Sequence, residues 1–157
     1  MTKGRTWFVT LTLRPDAHFQ MASRARLRLA AQGTDFDGLD PANQFAERHR
    51  EISHEITLWL KRVRKESGVQ LRYFLVAEAH KSGLPHYHAM VHEPEAGAEV
   101  RSRTLSRQWT LGFSQCKLVA EGEEKRTASY VAKYLSKDAI SRVRASQGYG
   151  HGITNQP

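Results

Sequence analysis

The chain carries a single cysteine, Cys116, so no internal disulfide can staple it. That usage suits a reducing compartment, and a cytoplasmic location is expected, that of a bacterial host if the gene is phage- or plasmid-borne. No apolar run approaches the roughly 20 residues needed to span a bilayer, so no membrane partner is expected. The stretch Trp7-Phe8-Val9-Thr10-Leu11-Thr12-Leu13 is too short and too rich in threonine for a signal peptide. A phosphate-binding Gly-Lys-Ser/Thr loop is missing, as are internal repeats and low-complexity segments. Acidic residues are scarce: 16 Asp+Glu face 24 Lys+Arg, giving a net charge of +8 and a pI near 9.9. Such a balance favours a polyanionic partner. At 157 residues the chain suits one domain with a real core.

What is present alternates between two periodicities. Residues 6–13 are β-branched and aromatic, as in a buried strand, and Pro15 ends them. Residues 16–40 are polar and glycine-punctuated, with Arg24, Arg26 and Arg28 between small or apolar residues; a basic helix and an ordered insertion both fit. Asp40-Pro41 marks a helix start, Phe45, Ile52, Ile56, Trp59, Leu60 and Val63 follow at helical spacing, and Gly68 ends the run. Strands are predicted over about 70–79 and 85–93 around a turn at Lys81-Ser82-Gly83-Leu84, a helix over about 98–109, a strand over 113–120 and a helix over about 127–139. The order β-α-β-β-α-β plus one helix predicts an α+β, ferredoxin-like split βαβ fold: an antiparallel sheet backed by helices, with an added C-terminal helix bearing tyrosines. One domain is expected over 1–140, with 14–40 as an insertion and 141–157 as a basic flexible tail.

Two segments carry chemistry. In a strand, residues two apart share a face, so His86 and His88 can converge on one ion. Centring the hairpin near Gly83 sets Glu78 opposite His88 and His80 opposite His86, making Glu78 the third ligand. Two imidazoles and a carboxylate leave coordination positions open for phosphate oxygens and suit Mg²⁺ or Mn²⁺. His18, His49, His54, His92 and His151 have no such geometry and read as structural or surface residues, and Cys116 reads as a small core residue. In a helix, residues four apart share a face, so Tyr130 and Tyr134 can address one reacting centre, with Lys133 beside them and Lys137 one turn on. Phenols are weak nucleophiles near neutrality, and a neighbouring cation helps. The bland alternative buries Tyr130, Val131, Tyr134 and Leu135 as an ordinary core stripe.

At these residues the chain resembles the HUH endonucleases, which include rolling-circle replication initiators, conjugative relaxases and related transposases. Phe8-Val9-Thr10-Leu11-Thr12 is similar to the first motif, and Pro85-His86-Tyr87-His88-Ala89-Met90-Val91 to the metal motif. Tyr130-Val131-Ala132-Lys133-Tyr134-Leu135-Ser136-Lys137 is similar to the tyrosine motif of two-tyrosine, microvirus-type initiators, and Trp109-x-x-Gly112-Phe113 also suits them. The resemblance implies a divalent ion on His86, His88 and Glu78, Tyr130 as first nucleophile, Tyr134 for the second transesterification, and a 5′-phosphotyrosine intermediate on single-stranded origin DNA. A host helicase and polymerase are the implied partners. Lys137, Arg142, Arg144 and Lys81 are candidate DNA contacts, and Trp7 or Tyr87 candidate stacking surfaces. A relaxase, a single-strand transposase or a non-catalytic nucleic-acid-binding module of the same architecture are the competing expectations.

Overall fold

The computed structural model describes residues 4–137 and 142–146. In chain order, β1 is Thr6–Leu13, α1 Pro15–Ala30, α2 Pro41–Ser67, β2 Arg72–Ala79, β3 Pro85–His92, α3 Ser102–Arg107, β4 Gly112–Leu118, α4 Glu124–Lys137 and β5 Arg142–Ala145. The strands form one antiparallel sheet in the order β4-β1-β3-β2-β5. The α+β, ferredoxin-like expectation is therefore met, with β5 added beside β2.

Local chemistry sets the element boundaries. Asp40 caps α2 by accepting from the Asn43 backbone N–H at 2.9 Å, Pro41 takes the first helical position, and Gly68 closes the helix at φ 71°. Two expectations need correction. Residues 16–40 hold a regular helix, because their arginines have carboxylate partners far along the chain: Arg24 with Glu55, Arg26 with Asp37, and Arg28 with Glu47 and Glu51. The basic stripe of α1 is thus largely neutralised from within. Residues 142–145, expected in a flexible tail, form the β5 edge strand. Residues 147–157 of that expected tail lie outside the described residues. The helix predicted over 98–109 is also shorter, at Ser102–Arg107.

The sheet has a dry face and a chemical face. Val9, Leu11, Leu75, Ala77, Tyr87, Ala89 and Val91 are fully buried on one side, where Ile52, Ile56 and Trp59 of α2 and Leu105 of α3 cover them. On the other side only α4 packs, through buried Val131 against Val76 and Met90. Trp7 and Tyr87 belong to the dry side and are buried, so neither can stack a nucleobase. No helix among the described residues is long and apolar enough to cross a membrane.

Glu93, just past β3, is fully buried. It accepts from Arg5 Nη2 at 2.8 Å, Arg5 Nε at 3.0 Å and the Val100 backbone N–H at 2.8 Å. Burial opposes its ionisation, yet the Arg5 guanidinium and the backbone donors outweigh burial and hold its pKa below the usual carboxylate range. A carboxyl with a depressed folded pKa stabilises above its unfolded value near 4.5, and loses that contribution as pH falls through the folded value. Glu93→Gln should therefore cost about 3 kcal/mol at neutral pH. The gap to wild type should close on acidification, as thermal melts across a pH series will register. A gap independent of pH would mean that charge is not what Glu93 contributes.

Candidate active site

The β2–β3 hairpin determines which side chains meet. The His80 carbonyl accepts from the Gly83 N–H at 2.7 Å, and the His80 N–H donates to the Leu84 carbonyl at 2.9 Å, with Gly83 at φ 78°. This is a three-residue loop whose last residue is left-handed, a position that favours glycine. It centres the hairpin on Ser82, one residue before the centre the sequence suggests. The register is accordingly Glu78 opposite His86 and Val76 opposite His88, rather than Glu78 opposite His88 and His80 opposite His86. A shift of two partners preserves faces, so Glu78, His86 and His88 still share one. His80 instead folds onto its own turn, with Nδ1 3.3 Å from Ser82 Oγ.

The three candidate ligands are close together. The rings of His86 and His88 lie 4.7 Å apart between centroids, and Glu78 Oε2 is 3.3 Å from His88 Nε2. Burial, with His86 nearby, pushes the pKa of His88 down to about 4, and burial together with His80 lowers that of His86. The Glu78 carboxylate favours protonated His88, so it pulls against this shift. Desolvation wins for a ring only 8% exposed. Both imidazoles are then neutral near pH 7, the state in which a ring nitrogen can bind a metal. From β1, Thr10 Oγ1 lies 3.3 Å from His88 Nδ1, a contact that fixes the ring's orientation and leaves Nε2 toward Glu78. Among the described residues no three His, Cys, Asp or Glu side chains already form a cage for an ion. The Glu78–His88 contact occupies the donors that an ion would take.

Helix α4 delivers the tyrosine to the same side of the sheet. Phe8 of β1 stacks on His88 at 5.8 Å between centroids, and Tyr130 meets the same Phe8 edge-on at 6.0 Å. A single aromatic ring thus separates phenol from imidazole. Tyr130 is 48% exposed, so it is not the buried core residue of the bland reading; Val131 alone takes that role among the described side chains of this turn. Lys133 is exposed on the same helix. Tyr134 and Lys137 belong to α4, but their side chains, like that of Arg142, lie outside the described part of the structure. Beside Tyr130 runs a groove of about 560 Å³ between α4, β1 and β4.

The candidate DNA contacts divide. Lys81 is exposed in the hairpin turn next to the Glu78–His86 end. Arg144 points to the dry side, donating to Thr57 Oγ1 at 2.8 Å, Ser53 O at 3.0 Å and Tyr73 Oη at 3.0 Å. It fastens β5 to α2, away from the site. Arg144→Ala should cost about 2 kcal/mol of stability through lost charge-assisted hydrogen bonds. The salt dependence of DNA binding should not change, and a slope lowered by about one would restore it as a phosphate contact.

Sequence reasoning missed Phe8 as the ring between phenol and imidazole, and missed the link between His49 and the dry side of β3. His49 Nδ1 lies 3.1 Å from the hydroxyl of fully buried Tyr87, the residue between the two site histidines. No pattern in the sequence signals either contact. The model of a family described as replication-associated protein, of the ORF2 type, matches residues 6–139, from β1 through the tyrosine helix. The chain belongs to this family. As a replication-associated protein it has a role in replication initiation, and the match includes both chemical segments, the His86–His88 strand and the Tyr130 helix. No curated protein and no solved structure matches it.

Proposed function

We propose that this replication-associated protein is an HUH-type, two-tyrosine replication initiator that nicks and rejoins single-stranded DNA at an origin. The observation that carries the reading is the shared contact with Phe8, which sets Tyr130 and His88 on one face of the sheet. Glu78, His86 and His88 would hold Mg²⁺ or Mn²⁺, the donor set being two neutral imidazoles and one carboxylate. When bound, the ion supplies electrophilic polarisation of the scissile phosphate.

The remaining work belongs to the chain. Tyr130 Oη bonds to phosphorus as the bond from phosphorus to the 3′ oxygen breaks. The phenolic proton is lost, and the departing oxygen gains one to become a 3′-hydroxyl. Lys133, on the same helix and exposed, favours the phenolate form. The product is a 5′-phosphotyrosine and a primer end for a host polymerase. Tyr134, one turn along, serves a second transfer that lets the free hydroxyl rejoin the first linkage. Each step exchanges one phosphodiester for another, so no nucleotide is consumed, and a host helicase must separate the strands. The test is incubation with single-stranded origin DNA and Mn²⁺, followed by denaturing electrophoresis. A covalent protein–DNA species that forms with Mn²⁺ and not with EDTA supports the reading; only non-covalent binding refutes it.

A further inference from the structure

One exposed aromatic on the chemical face has no part in the reaction above. Phe113 of β4 is 71% exposed, an unusual position for a phenylalanine in a strand. In register it is opposite Thr12, and Thr12 Oγ1 donates to its carbonyl oxygen at 3.2 Å. Thr12 lies two residues from Thr10, so Phe113 shares the face that Thr10 and His88 occupy. Continuing along β4 at every second residue, Gln115 is opposite Thr10 and Lys117 opposite Phe8, and all three β4 side chains are exposed. The row runs from an aromatic through an amide to an ammonium over about 14 Å. Its Lys117 end opens into the groove beside Tyr130, which Arg126 and Glu123 also line. Arg126 and Glu123 pair across 3.5 Å at the surface, a contact that a competing phosphate can exchange at little cost.

We infer that the Phe113-Gln115-Lys117 row is the track on which a single-stranded nucleic acid lies, with a base stacked on Phe113 and a neighbouring phosphate on Lys117 and Arg126. The row is what such a strand requires: a π-face that accepts any base, an amide able to read a base edge, and cations along the backbone. Its occupant is single-stranded, since a paired base has no free face to offer a side chain standing on a sheet. The track fixes which phosphate reaches Tyr130, so Phe113 and Gln115 act in positioning and selection. This inference takes its occupant from the proposed function, but binding to the row does not require that any bond be cut.

The experiment is therefore a binding measurement in EDTA, by fluorescence anisotropy, with a labelled mixed-sequence single-stranded oligonucleotide and a second one carrying abasic sugars in its central stretch. Phe113→Ala should weaken binding to the ordinary oligonucleotide about tenfold, whereas Phe113→Tyr should restore it. On the abasic probe the Ala variant and wild type should agree. Lys117→Ala should weaken both probes alike and flatten the salt slope by about one. Because Phe113 is exposed, the variant's melting temperature should match wild type, and the melt is run as a control. Equal affinity of Phe113→Ala and wild type for the ordinary oligonucleotide overturns the inference. So does reduced self-association of Phe113→Ala with unchanged DNA affinity, which would mark the patch as a protein contact. Covalent adducts in wild type beside Phe113-independent binding would sink the track and leave the nicking reading standing. Phe113-dependent binding without adducts would do the reverse.

Discussion

Replacing both Tyr130 and Tyr134 with phenylalanine should abolish the covalent DNA adduct, a fall of at least about a thousandfold, since no other group supplies the attacking oxygen. Phenylalanine keeps the ring and removes only the hydroxyl. The edge contact of residue 130 with Phe8 survives, so the double variant should fold and bind the oligonucleotide normally. Each single variant should keep some adduct on a single-cleavage substrate, because the other phenol is one helical turn away. Both singles should lose the joining of two strands, which uses the phenols in succession. The assay separates these outcomes by pairing a cleavage substrate with a strand-exchange substrate on one denaturing gel. An adduct of undiminished intensity in the double variant would remove tyrosine from the mechanism altogether.

Much of this site is legible in the sequence because it depends on short-range periodicity. Two residues on in a strand and one turn on in a helix are local statements, and they bring His86 and His88 to one face. Glu78 is reached through the parity of the pleat, although the register inferred with it differs from the one observed. Whether a hairpin centres on Ser82 or on Gly83 depends on which residue turns left-handed, and the residue types Lys81-Ser82-Gly83-Leu84 permit either. Helix α1 is not legible because what allows a row of arginines to sit on it lies elsewhere: Glu47, Glu51 and Glu55 are on the next helix. The β5 strand is four residues long and is held by Arg144 bonding to Ser53, Thr57 and Tyr73, none of which is near it in sequence. The aromatic assignments fail for a different reason. Tyr87 alternates with the histidines, so the pleat puts it on the opposite face, where it is buried under α2. Exposed Phe113 has only a weakly alternating strand to declare it.

Removing any one of His86, His88 or Glu78 by alanine substitution should lower ion-stimulated adduct formation about a hundredfold or more, equivalent to losing a few kcal/mol of transition-state stabilisation. The three are not equivalent. His88 is held from both sides, by Thr10 at Nδ1 and by Glu78 at Nε2, and is almost wholly buried, so His88→Ala should also lower the melting temperature. Glu78 is about a quarter exposed in its side chain, and Glu78→Ala should fall mainly on activity. Added Mn²⁺ sharpens the distinction. Binding of an ion to the folded state alone raises the melting temperature of wild type, because ligand affinity adds to folding free energy. The same addition should leave the His86, His88 and Glu78 variants unmoved. Thr10→Val is the finer probe: it keeps the β-branched shape in the strand and removes the hydroxyl at His88 Nδ1, and ion affinity should weaken about ten- to a hundredfold without loss of the ligand itself. Should Mn²⁺ stabilise the His86→Ala/His88→Ala double variant as much as wild type, the ion would be bound elsewhere and the imidazole pair would have no metal role.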